Sequence, residues 1–120
     1  MKIKEFLTDI KKSEIDEKTK KSMLEVYGEY VPEDILAILS YSSKPELFDE
    51  NESRTLSLRE VLQAEKLFKI PFASIKYIPI VDKGNNDFII YDGGKKKWAM
   101  YNILEESVFD ESDTIDELIY

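Results

Sequence analysis

Apolar residues at Ile3, Phe6, Leu7 and Ile10 recur at helical spacing and predict a short amphipathic opening helix. A second helix is expected from about Asp16, with Thr19, Met23, Val26 and Tyr27 on its buried face and Gly28 as a left-handed terminator. Pro32 suits the first position of a third helix. Glu33 and Asp34 sit where its dipole favours acids, Ile35, Leu36, Ile38 and Leu39 form its buried side, and the helix ends near Tyr41. Residues 42–56 are polar and acidic, with only Leu47 and Phe48 as anchors before Leu56, and predict a loop or weak strand. Ser57-x-x-Glu60 is a capping box that opens a fourth helix over roughly 58–68, with Leu58, Val61, Leu62, Leu67 and Phe68 as its apolar residues.

From Lys76 the period becomes that of strands. Lys76–Asp82, Asp87–Asp92 and Lys97–Ile103 are rich in β-branched and aromatic residues, and they are separated by Lys83-Gly84-Asn85-Asn86 and by the Gly93-Gly94 turn. They predict an antiparallel meander. Pro79 has no N–H to give a ladder, so its position belongs at an edge or a bulge. Thr114-x-x-Glu117 caps a closing helical turn with Ile115, Leu118 and Ile119. The expected architecture is a single α+β domain over 1–120, with N-terminal helices, a predominantly antiparallel sheet that the helices pack on, and a short C-terminal helix.

An even-numbered loop at Gly93-Gly94 would place Ile89 and Tyr91 on one face with Trp98 and Met100. Phe88 and Ile90 would then share the other with Ala99, Tyr101 and Ile103. Both faces are apolar. Either helices cover the two sides, or one side is open to a partner.

Composition narrows the chemistry. With no cysteine and no histidine, the chain excludes a disulfide framework, a Cys/His zinc site, a thiol nucleophile and His-based triads. The net charge of −8 divides evenly, with 10 basic and 14 acidic residues in 1–60 and 7 and 11 in 61–120. Such a field repels nucleic acid and fits either plain solubility or an acidic face for a basic partner. No apolar run spans a bilayer, and the acid-containing N-terminus lacks a small-residue cleavage site, so the expected location is the cytoplasm.

Asp82-Lys-Gly-Asn-Asn-Asp87 has oxygen ligands at close spacing but fails the EF-hand pattern, with Gly84 at position three and Asp87 at position six; a turn accounts for it better. Asp92-Gly93-Gly94-Lys95 lacks the spacing of a phosphate loop, and Lys95-Lys96-Lys97, the one dense basic cluster, reads either as a phosphate grip or, better in this acidic field, as a solvated turn that discourages edge-to-edge pairing. The seven acids between Glu105 and Glu117, with no lysine or arginine among them, form either a negative patch or a solvated surface. Trp98 is first a core residue and second an interface anchor. No cofactor or metal is expected.

Several segments in order carry a family resemblance: Val31-Pro32-Glu33-Asp34-Ile35-Leu36, Leu56-Ser57-Leu58-Arg59-Glu60-Val61-Leu62, Ile78-Pro79-Ile80, Asn86-Asp87-Phe88-Ile89-Ile90-Tyr91, Trp98-Ala99-Met100-Tyr101 and the stretch 112–118. From about Ile15 onward the chain resembles the SUKH superfamily of Smi/Knr-like proteins, which comprises fungal cell-wall-synthesis regulators and bacterial immunity proteins. After the Pro-Glu-Asp helix the family commonly has Asn-Gly or Gly-Gly, where this chain has Tyr41-Ser42-Ser43. The resemblance implies an α+β fold and a non-enzymatic role as an immunity protein that neutralises a polymorphic or contact-dependent toxin, of nuclease or deaminase class. The alternative is an interaction scaffold that binds a host protein or small ligand.

Exposure and side-chain chemistry nominate the partner-binding residues. Glu46, Asp49, Glu50 and Glu52 lie in the acidic loop, Asp82 and Asp87 at strand ends, and Tyr41, Tyr91 and Trp98 are the aromatic anchors. The expected partner is a basic toxin protein, with no direct contact to nucleic acid or membrane.

Overall fold

A computed structural model of the chain describes residues 15–42 and 53–118. The opening helix over 3–10 and the acidic loop over 43–52 lie outside the described residues. Helix α1 spans Glu17–Val26. Asp16 caps it by accepting from the Thr19 N–H at 3.2 Å and the Thr19 hydroxyl at 3.0 Å, which satisfies donors that have no partner within the helix. The core takes the i, i+4 row of Thr19, Met23 and Tyr27. Val26, expected on that face, lies one row over in the last turn and stays 40% exposed.

Gly28 follows at φ +119°, a left-handed backbone that ends the helix as expected. Helix α2, Glu33–Ser42, starts one residue later than predicted. Pro32 stands just ahead of it and its carbonyl accepts from the Ile35 and Leu36 N–H groups. Ile35, Leu36, Ile38 and Leu39 are all buried. The Asp16 N–H donates to Ser40 Oγ at 2.9 Å, tying the start of α1 to the end of α2.

Arg54–Thr55 forms the two-residue strand β1. The capping box at Ser57 and Glu60 is complete in both directions and opens α3, Leu58–Leu62. The single helix expected over 58–68 is broken at Gln63, whose non-helical backbone separates α3 from α4, Ala64–Phe68. The break turns Phe68 onto the sheet, with its ring centroid 4.9 Å from that of Phe88, and leaves Leu67 52% exposed. A further helix that the sequence pattern did not predict, α5 at Phe72–Ile75, is joined to α4 where the Ala73 N–H donates to the Glu65 carboxylate at 2.8 Å. Left-handed Lys69 and Lys76 end these two short helices.

The sheet is antiparallel, in the order β1-β2-β3-β4-β5. Strand β2 runs Tyr77–Gly84, β3 Asp87–Asp92, β4 Lys97–Asn102 and β5 Ser107–Ser112. Strand β5 is an addition to the predicted meander. The register of β2 shifts between Pro79 and Val81, so the proline lies at a bulge, and the Ile80 carbonyl there accepts from the Leu56 N–H at 2.8 Å.

The turn at 93–96 is even-numbered. Tyr91 therefore faces Trp98 and Ile89 faces Met100, while Phe88 faces Tyr101 and Ile90 faces Ala99. All eight are buried, so neither face of the sheet is left as an open docking plane. Phe68 and Phe72 cover the Phe88 and Tyr101 side through tilted and edge-on ring contacts. One continuous core links Met23, Ile35 and Leu39 of the helices with Ile78, Ile80 and Ile89 of the sheet.

The chain closes on a 3-10 helix, Ile115–Leu118. The Ser112 hydroxyl braces the entry to this turn, accepting from the Thr114 N–H at 3.2 Å and donating to Glu117 at 2.8 Å. Ile119 lies outside the described residues. Among those described, no helix is long and apolar enough to cross a membrane.

Candidate interaction surface

Of the nine nominated residues, the structure describes the side chains of four, Asp82, Asp87, Tyr91 and Trp98. The Tyr41 side chain and Glu46, Asp49, Glu50 and Glu52 lie outside the described residues. Tyr91 and Trp98 are 9% and 6% exposed, with their rings edge-on at 5.3 Å, so they pack the core and offer no exposed anchor. Burial, and then the charges of Asp92 and Asp34, push the pKa of the Tyr91 hydroxyl up, so it ionises less readily than a free tyrosine.

Asp82 and Asp87 come together at the β2–β3 turn, half-buried and engaged in local structure. Asp82 accepts from the Gly84 N–H at 2.9 Å, and Asp87 accepts from the Asn102 amide at 2.8 Å. Between them Asn85 and Asn86 both take left-handed backbone, which makes this segment the hairpin turn its composition predicts.

The Gly93-Gly94 turn needs its first glycine for a reason other than backbone freedom. Gly93 has no left-handed φ; the Tyr30 ring lies against it, and a Cβ there would stand 2.6 Å from Tyr30 Cε2 and closer still to Cδ2. Left-handed Lys96 makes the turn instead. Asp92 Oδ1 braces it by accepting from the Gly94 and Lys95 N–H groups at 2.9 and 3.1 Å.

The exposed chemistry gathers on the β4–β5 turn and β5. Asn102 Oδ1 accepts from the Leu104 and Glu105 N–H groups at 3.0 and 2.9 Å, which folds the turn tightly and pushes Leu104 out to 75% exposure. Glu106, left-handed at φ 51°, completes the turn. The β4–β5 register slips where Met100 faces Asp110 and Tyr101 faces Val108, so Phe109 is the extra residue of a bulge and remains 51% exposed. Around these two apolar side chains Glu105, Glu106, Asp110, Glu111 and Asp113 are all exposed. Lys95 reaches across to Glu111 at 2.9 Å, and its hydrogen bond and charge hold the Glu111 carboxyl below its ordinary range.

Beside Glu106 a groove of about 310 Å³ opens between α5 and the turn, lined by Ile75, Tyr77, Tyr101 and Val108 among others. The two tyrosine rings meet edge-on at 5.5 Å. Burial raises the Tyr101 hydroxyl, with smaller contributions from Glu106 and Tyr77.

The most strongly perturbed groups serve the fold. Glu60 is held down to about 2, chiefly by the hydrogen bonds from Arg54, whose two terminal nitrogens reach its two oxygens at 2.8 and 2.7 Å. Burial raises the Tyr27 hydroxyl, which donates to the Val61 carbonyl at 2.7 Å. Leu104 and Phe109 were not singled out by the sequence pattern, although the acidic run around them was. Two large apolar residues within such a run were the available signal.

The fold and these contacts define a small α+β domain that carries an acidic rim with exposed apolar side chains on an antiparallel sheet. No family model matches the chain, and no curated protein or solved structure matches it.

Proposed function

We infer that this chain is a non-catalytic protein-binding module of the SUKH type, a cytoplasmic immunity protein that binds and neutralises a basic toxin domain. The observation that carries this reading is the acidic rim from Glu105 to Asp113 with Leu104 and Phe109 exposed within it. Enzymes that degrade or modify nucleic acid present basic clefts. An acidic surface with apolar anchors on a rigid support occupies such a cleft, gaining association rate from charge and affinity from the anchors. The net charge of −8 acts in the same direction. The carboxylate of Glu60 and the hydroxyl of Tyr27 are already committed to structural partners, which favours binding over acid–base chemistry at those two groups.

The test is co-expression with a toxin domain encoded by the adjacent gene. Restored growth together with co-purification of a stoichiometric complex is the expected result. Failure to neutralise the neighbouring toxin, or turnover of a substrate by the purified chain that is lost on neutralising one carboxylate, overturns the proposal. Stable capture of a host protein without toxin rescue would replace it with the scaffold alternative.

A further inference from the structure

We propose that the groove between α5 and the β4–β5 turn receives one arginine side chain of the partner, its guanidinium lying against Tyr77 and beside the Glu106 carboxylate. This inference rests on the protein-binding reading and names one contact that carries it. The groove holds about 310 Å³, and every residue that lines it lies among those described. That is room for a side chain rather than a large cofactor. Its walls are mostly apolar. Pro71 and Ile75 are exposed on the helix side, Val108 is half-buried on the strand side, and half-buried Tyr77 and buried Tyr101 add ring surface. The two rings meet edge-on at 5.5 Å, and Tyr101 also packs edge-on against Phe72 at 6.3 Å, so the core holds this surface in place. Such a lining takes the methylene stem of a long side chain.

Charge selects the occupant. Glu106 is the one charged residue in the lining, and its charge reaches the Tyr101 hydroxyl, which puts the carboxylate beside the rings. Among the described residues no cation pairs with it; Lys95, close enough to Tyr77 to feel its hydroxyl, is already tied to Glu111 at 2.9 Å. A carboxylate next to aromatic rings attracts a cation twice, through its own charge and through the ring quadrupole. Arginine suits the groove better than lysine. Its planar guanidinium stacks on a ring while offering a fork of donors to the carboxylate, and its weaker hydration makes entry between apolar walls less costly. A second copy of this chain is a poor source: its two arginines are Arg54, held by Glu60, and Arg59, and a charge of −8 on each molecule opposes their approach. A basic partner has arginine to offer and is drawn in by the same field.

The probe is the blocked peptide acetyl-Gly-Arg-Gly-amide, titrated into the isotopically labelled full chain and read by chemical shifts. Saturable shifts centred on 70–77, 101 and 106–108 are expected. The same peptide with citrulline for arginine keeps the shape and loses the charge; it should bind about tenfold or more weakly, and this arm requires no change in the protein. The lysine peptide should bind about threefold or more weakly. Glu106→Gln and Tyr77→Leu should each weaken the arginine peptide about fivefold, while Tyr77→Phe, which keeps the ring, should retain its affinity. Absent or differently centred shifts, equal binding of the citrulline or lysine peptide, or full affinity in Tyr77→Leu overturns the inference. Toxin rescue is scored separately. Neutralisation undiminished by Tyr77→Leu combined with Glu106→Gln defeats the groove as the partner's seat and leaves the immunity reading standing; arginine-peptide binding in the groove without toxin neutralisation by the unaltered chain does the reverse.

Discussion

The Arg54–Glu60 pair joins the edge strand β1 to helix α3, and acid titration measures what it contributes. Its geometry is bidentate, and Glu60 Oε1 also accepts from the Ser57 N–H at 3.1 Å. The folded chain holds this carboxyl at about 2, against an ordinary value of 4.5. Because the folded value is the lower one, the unfolded chain takes up the proton first. The stabilisation is therefore complete above about 4.5 and is lost as pH falls towards about 2.

At full strength a depression of this size corresponds to about 3 kcal/mol. The two side chains keep 28% and 27% of their surface in water, and screening there reduces the contribution to about 1–2 kcal/mol. Glu60→Gln keeps an oxygen for the Ser57 N–H and removes the charge, so the cap survives and the ion pair does not. Urea unfolding of both proteins across the acid range is the assay. The variant should be less stable by about 1–2 kcal/mol near neutrality, with the gap closing towards the acid limit. A gap that stays constant with pH, or no gap at all, refutes the assignment of the stabilisation to the charged pair.

Gly93→Ala forces its new methyl into the Tyr30 ring and should cost about 1–3 kcal/mol in urea unfolding, a cost that largely disappears in a Tyr30→Ala background. Tyr27→Phe removes the buried bond to the Val61 carbonyl and should cost about 1–2 kcal/mol near neutral pH. The folded Tyr27 hydroxyl ionises later than the unfolded one, so its contribution is full below 10 and falls as pH rises beyond that; Tyr27→Phe should flatten the alkaline loss of stability, read by the same unfolding assay.

Local signals carried much of the fold. Asp87–Asp92 was legible as a strand to the residue because its apolar run is bounded by turn residues on both sides, and the Ser57–Glu60 box and the Pro79 bulge follow from single residue types. Strand β5 was not legible. Val108 and Phe109 are adjacent, the bulge at Phe109 breaks the two-residue alternation, and the rest of the strand is polar because it lies at an edge. The break at Gln63 has no proline or glycine to announce it and is set by where Phe68 meets Phe88. At the candidate surface the acids were visible but their placement along an edge was not. Tyr91 and Trp98 could be read either way, because both sheet faces are apolar and only burial distinguishes a core ring from a docking ring.

The strand order also bears on how the protein is made. Strands β2 through β5 each pair with the next one along the chain, so 77–112 can zip up by successive hairpins over short loops. Helices α1 and α2 leave the ribosome first, with Ile35, Leu36, Ile38 and Leu39 lacking the sheet that completes their core. At ordinary elongation rates the nascent helical half waits on the order of seconds for its template, with that apolar face unpaired in the interval.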